Sequence, residues 1–284
     1  MRQPARRLRG SDEVRRQSLS TQAALLAEHL DRDVWAGSKL GALSRLAFDA
    51  AATRAALDPE DPAIVLDLSR CAAAAAAAFL AATTPGHDAV EARGPGNEPV
   101  RVHRDGFDER KLEGPIHWRT GILASVAVGH HEARSVLTSI APQDLSRLSR
   151  GAPVWFASEA AALMATFRGD LDARDRLVCA MGTADPKHIH PMSRSYVRNV
   201  VVAELELGSR VVERDAAGFD LALTQALVGH HRYYGRGAPK GIEGELALAP
   251  LAMACLGRDC GLRATITTAY VPAWIVERIR PARA

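Results

Sequence analysis

Apolar residues recur every three or four positions along most of the chain, the period of an amphipathic helix. "SLSTQAALLAEHLDRDVW" opens on hydroxyl residues (Ser18, Ser20, Thr21) that read as caps, and sets Leu25, Leu26 and Leu30 on one face. "SKLGALSRLAFDAAATRAAL" repeats the period at Leu40, Leu43, Leu46, Ala47 and Ala50. After Pro59 and Pro62, "PAIVLDLSRCAAAAAAAFLAATT" predicts a helix ended by Pro85-Gly86, with side chains small enough for a neighbouring helix to approach closely.

From Gly114 the period resumes, with Trp118, Ile122, Leu123 and Val126 on one side. "PQDLSRLS" reads as a short helix, and four longer segments follow as two pairs: "APVWFASEAAALMATFRGD" with "DARDRLVCAM", then "MSRSYVRNVVVAELELGSRVVERD" with "AAGFDLALTQALVGHHRYYG". Two places break the rhythm. "AVEARGPGNEPVRVHRDG" alternates apolar and charged residues about a Gly-Pro-Gly-Asn turn, so a β-hairpin is expected with Val90 and Ala92 matched to Val100 and Val102. "GLRATITTAYVP" is β-branched and is expected to be short and extended. The pattern predicts a mainly all-α fold: an irregular bundle or superhelix of about ten antiparallel helices with short connectors, one small hairpin and the extended C-terminal piece. No internal repeat of fixed length supports a regular solenoid.

The chain has 284 residues, 47 % hydrophobic and 24 % charged, enough to close a core without metals or disulfides. Net charge is +3, and much of the surplus sits in Arg2, Arg6, Arg7, Arg9, Arg15 and Arg16. Residues 1–16 are therefore expected as a disordered basic tail and 17–280 as one helical domain. The rest is near neutral, which makes a nucleic-acid partner unlikely. The tail lacks an apolar stretch like that of a secretory signal, so a cytoplasmic location is expected. Cys71, Cys179, Cys255 and Cys260 form no Cys-x-x-Cys pair and are expected as reduced, inert thiols, Cys179 and Cys255 in apolar surroundings. No apolar run approaches the ~20 residues that cross a bilayer, so no membrane association is expected.

Candidate chemistry is sparse. No Gly-x-Ser-x-Gly, P-loop or dinucleotide fingerprint is present, and "GRGAPKGIEGE" reads as a connector. Histidines fall close together at His130-His131, His188 with His190, and His230-His231. Such spacing permits metal ligation, with Glu132 able to complete a set, yet each group lies where helices end and polar residues collect. Asp175 and Glu204 stand among arginines at the spacing of surface ion pairs. In "HHRYYGR", adjacent tyrosines cannot face one way along a helix, and tyrosine and arginine dominate binding hot spots. His230, His231, Arg232, Tyr233, Tyr234 and Arg236 are the candidate partner interface; no catalytic, cofactor or metal-ligand residue is assigned.

Three stretches, in order, resemble the immunity protein 49 family: "HWRTGILASVAVGHHEARSVLTSIAPQDL", "AAGFDLALTQALVGHHRYYG" and "GELALAPLAMACLGRDCGLRATITTAYVPAWIVE". Ala249 replaces the family's usual glycine before Pro250, and Tyr234 stands where tryptophan is common. The resemblance implies an α-helical antitoxin of bacterial polymorphic toxin systems, not an enzyme and without a cofactor. Its partner would be a cognate toxin C-terminal domain, blocked by stoichiometric occlusion. Because the chain is not acidic overall, a local acidic patch or a differently charged toxin is then required. On that reading "LALAPLAMACLG" is core that closes the bundle, with Leu248, Leu251, Ala252, Cys255 and Leu256 buried and Gly257 ending the helix. The alternatives are a metal-dependent hydrolase acting through the histidine pairs and reversing a toxin's modification, and a helical scaffold for peptide or nucleic acid led by the arginine tail.

Overall fold

The computed structural model describes residues 12–278, apart from 85, 105–106, 108–113, 149–151, 186, 236–241 and 267. Pro85, Arg236, most of the glycine-rich connector and Arg2 to Arg9 lie outside the described residues. Helices dominate, as the periodicity predicts. The first, α1 (Asp12–Leu30), reaches back into the segment read as tail. Asp12 and Glu13 occupy its first turn, where acidic side chains complement the helix dipole. Arg15 is buried and pairs with Glu245 at 3.2 Å, which docks this turn on the body. Ser18, Ser20 and Thr21 are thus helix interior rather than caps, and Leu25 stays outside while Leu26 and Leu30 enter the core.

A second departure follows at once. Val34–Ala36 is a strand, β1, where the pattern predicts that the first helix runs on to Trp35. It pairs in parallel with β3 (Pro99–His103), which pairs antiparallel with β2 (Ala89–Arg93), giving the order β1-β3-β2. The hairpin register matches the expected one, with Val90 opposite Val102 and Ala92 opposite Val100. Asn97 takes a left-handed conformation (φ 69°) in the turn, which asparagine tolerates better than most residues. Three residues are too few for β1 to show alternation; fully buried Trp35, opposite Val102, holds it to the sheet.

α2 (Leu40–Leu57) packs on α3 (Ala63–Thr83), the central helix, and α3 in turn touches α4 (Gly114–Val128), α5 (His131–Ser139) and β2. By length and composition α3 could cross a membrane, contrary to the expectation for the sequence, because Ile64 to Leu68 extend the alanine run. In the fold most of it is core, and it carries an ion pair. Asp67 is buried between Arg54 (2.6 Å) and Arg70 (3.1 Å), and Arg70 continues to Asp31 beyond α1. Burial pushes the Asp67 carboxyl up, opposed by the two guanidinium groups. The close approach expected of the alanines is found at Gly121, where a Cβ would stand 2.3 Å from that of Ala75.

The chain continues through α6 (Pro142–Leu148), α7 (Val154–Arg168) and α8 (Ala173–Thr183). Next comes one helical run: α9 (Pro191–Tyr196), a π-helical turn at Val197–Val201, and α10 (Val202–Glu213). Then follow α11 (Ala216–Tyr234), α12 (Leu248–Asp259) and α13 (Ala273–Glu277). α12 packs on α4 and α10 and closes the bundle. Leu248, Leu251, Ala252 and Cys255 are buried, but Leu256 is only half-buried and Gly257 does not end the helix. It lies against Phe219, whose ring leaves 2.8 Å for a Cβ, and the chain turns instead at Gly261 (φ 86°). Beyond it the expected extended piece forms one isolated bridge, Thr268 to Val271, and Trp274 on α13 donates to the Pro59 carbonyl oxygen at 2.8 Å.

Candidate functional site

Five helices present charged or aromatic side chains to one cleft of about 380 Å³, and α2 and α12 complete its walls. α4 supplies Arg119, α7 supplies Trp155 and Glu159, α9 supplies Tyr196, α10 supplies Glu204, and α11 supplies His230, Tyr233 and Tyr234. Tertiary packing thus gathers polar groups that lie far apart in the sequence. The π-helical turn between Tyr196 and Glu204 lies against α11 at Gly229, and insertions of this kind are frequent at functional sites.

The floor is a buried charge cluster. Arg119 Nε donates to Glu159 Oε1 at 2.9 Å, and Arg119 Nη2 donates to Glu204. Glu159 is 1 % exposed and Glu204 6 %. Burial pushes the Glu204 carboxyl up to about 7, with Arg119 opposing and Glu159 adding to the rise. Glu159 Oε2 is buried without a hydrogen-bond partner. Three groups thus carry two acids against one guanidinium. Arg45, also on the cleft wall, pairs with Asp49 at 3.1 Å.

The walls are aromatic. Trp118, Phe156, Trp155, Tyr196, Tyr233, Tyr234 and His230 form a continuous series of ring contacts with centroids 4.6 to 6.4 Å apart, mostly edge to face. Tyr196 meets Tyr233 at 5.2 Å. Exposed Ile116 and Met192 stand among the lining residues.

The residues singled out in "HHRYYGR" divide accordingly. His230, Tyr233 and Tyr234 line the cleft; His231 faces Tyr270, with Nδ1 3.2 Å from its hydroxyl; Arg232 is exposed; Arg236 lies outside the described residues. The two tyrosines do not split between opposite seams: they touch edge to face at 4.7 Å and share one cleft. His230 is buried beside the Gly244 carbonyl oxygen (3.2 Å), and burial lowers it to about 4, so it is neutral near pH 7.

Two of the other paired histidines serve local structure, whereas His188 is exposed. His130 caps α5, its Nδ1 accepting from Ala133, and its Nε2 lies 3.0 Å from the Gly94 carbonyl oxygen. His190 caps α9 by accepting from Met192. Among the described residues no group of three or more His, Cys, Asp or Glu converges as a metal site. The cysteines are free; Cys71 and Cys255 are buried and pushed up to about 12 by desolvation, whereas Cys179, expected in apolar surroundings, is exposed on α8. Glu204 is the main correction. Its neighbours in sequence suggested a surface ion pair, but the partner is Arg119, 85 positions away. Arg119, Glu159 and Tyr196 carry no motif in the sequence; the signal for Arg119 and Glu159 is a charge standing among apolar residues of a helix.

Fold and site define a mainly helical protein with a small three-stranded sheet and an aromatic cleft over a buried, acid-rich floor. The chain belongs to the immunity protein 49 family, whose model matches residues 58–275. The match takes in every helix lining the cleft except α2. No curated protein and no solved structure matches the chain.

Proposed function

We propose that this protein resides in the cytoplasm and neutralises a cognate secreted toxin domain by binding it one to one and covering its active site. Membership of the family supports an immunity role and a protein partner such as a toxin. The observation that carries the mode of action is the cleft mouth. Ile116 (47 % exposed) and Met192 (86 %) are apolar side chains left in water beside Trp155, Tyr196 and Tyr233. Isolated exposed apolar residues are ordinary, but two at the mouth of an aromatic-walled cleft match the form of an anchor pocket ringed by water-excluding contacts. His230, Tyr233 and Tyr234 belong to this surface, with Arg232 exposed on the same helix end.

The test is co-expression with the toxin domain encoded beside this gene. Growth should recover, an equimolar complex should be isolated, and Ile116→Asp with Met192→Asp should abolish both while leaving the melting temperature nearly unchanged. A complex that forms equally well with the double variant overturns the assignment of this face. Failure of the wild-type protein to restore growth overturns the immunity reading itself.

A further inference from the structure

The acid-rich floor sets what the cleft can accept. We propose that it receives one arginine or lysine side chain of the toxin, held between the tyrosine walls and the Glu159–Glu204 pair. This deepens the reading above and rests on it for the identity of the partner.

Charge complementarity decides the class of anchor. Arg119 is already shared by two carboxylates, so its positive charge is spent within the cluster. Arg45 is paired with Asp49, and His230 is held neutral by burial. An entering anion would meet two buried acids and no free cation among the described lining residues. An entering cation meets Glu159, whose Oε2 lacks a partner, and Glu204, which gains a full charge when a second cation stands near. Unsatisfied buried acceptors are costly, and a charged donor is the strongest way to satisfy one. Tyr196, Tyr233 and Trp155 supply the ring surfaces on which guanidinium and ammonium groups are stabilised.

The proposal implies a proton count. The charged and titratable groups that line the cleft with Glu204 are Arg45 from α2, Arg119 from α4, Glu159 from α7, Tyr196 from α9, and His230, Tyr233 and Tyr234 from α11, and Arg119 and Glu159 act on its carboxyl directly. With Glu204 near half-ionised at neutral pH, a bound cation draws off its remaining proton. Binding therefore strengthens as pH rises from about 6 to about 8.

Titration of the full chain with Nα-acetyl-arginine amide, followed by tryptophan fluorescence, tests this without the toxin. Nα-acetyl-citrulline amide is the neutral isostere, and Trp155→Phe identifies the signal from the cleft. Arginine should bind at least tenfold more tightly than citrulline, more tightly at pH 8 than at pH 6, and at least tenfold more weakly to Glu159→Gln. Tyr233→Leu, which leaves the charge cluster intact, should also weaken it and serves if Glu159→Gln does not fold. Equal binding of arginine and citrulline, or a response unchanged in both variants, overturns the proposal. A chain that restores growth yet shows no arginine preference loses this inference alone; one that prefers arginine but does not restore growth keeps the subsite and loses the immunity reading.

Discussion

Gly229 sits directly over the backbone of Asn199. A Cβ at Gly229 would stand 1.9 Å from the Asn199 carbonyl oxygen, far closer than any non-bonded contact allows. The contact brings α11 onto the π-helical turn and thereby sets Tyr233 against Tyr196. One missing side chain thus fixes the width of the cleft. Gly229→Ala should force the two helices apart and destabilise the fold by about 1–3 kcal/mol, the usual range for overpacking. Urea unfolding would read the loss as a lower midpoint. An unchanged midpoint would mean that the helices do not meet here.

Arg119 is predicted to be the residue whose removal costs most. Arg119→Met would leave Glu159 and Glu204 buried without their shared cation. Breaking a buried pair this way costs about 3–5 kcal/mol. The loss should grow as pH rises, since Glu204, raised to about 7 by burial, can escape the penalty by binding a proton at low pH. Adding Glu159→Gln and Glu204→Gln to the same chain should recover most of the stability. Additive losses across the three substitutions would be incompatible with the cluster.

These residues show what the sequence could and could not disclose. Helix positions were legible because the apolar period acts locally: Trp118, Ile122 and Leu123 announce α4 unaided. The hairpin was legible because a turn sequence sits between two alternating runs. The Arg119–Glu204 pair was not, because its members lie on different helices and each reads as ordinary surface charge in its own neighbourhood. The same holds for Arg15 and Glu245, 230 positions apart, whose pairing converts an apparent tail into a docked helix. The tyrosines were visible as a binding signal, but their shared cleft arises only from the π-helical turn and Gly229.

Gly121 and Ala75 provide a test of the alanine-rich centre. With Gly121 closing on Ala75, α3 and α4 leave no room for a larger residue at either position. Ala75→Leu should therefore destabilise by about 1–3 kcal/mol, whereas Ala→Leu is nearly neutral in helix propensity. Chemical unfolding measures the difference. A neutral result would show the two helices to be more widely separated.

The two shifted groups of the cleft predict opposite pH dependences. Glu204, raised to about 7 from an ordinary 4.5, binds its proton more tightly in the folded chain. Its contribution to stability is full below about 4.5 and is lost as pH rises through about 7. His230, lowered to about 4 from 6.5, resists protonation when folded. Its contribution is full above about 6.5 and is lost as pH falls through about 4. Between about 4.5 and 6.5 the slopes oppose and largely cancel. Glu204→Gln should uncover the histidine slope, so that this variant loses stability relative to wild type as pH falls from 6.5 to 4.5. His230→Gln should uncover the other, losing stability relative to wild type as pH rises from 4.5 to 7. Urea midpoints at half-unit intervals would reveal the crossing. Two variants whose profiles stay parallel to the wild type would show that neither group titrates with folding.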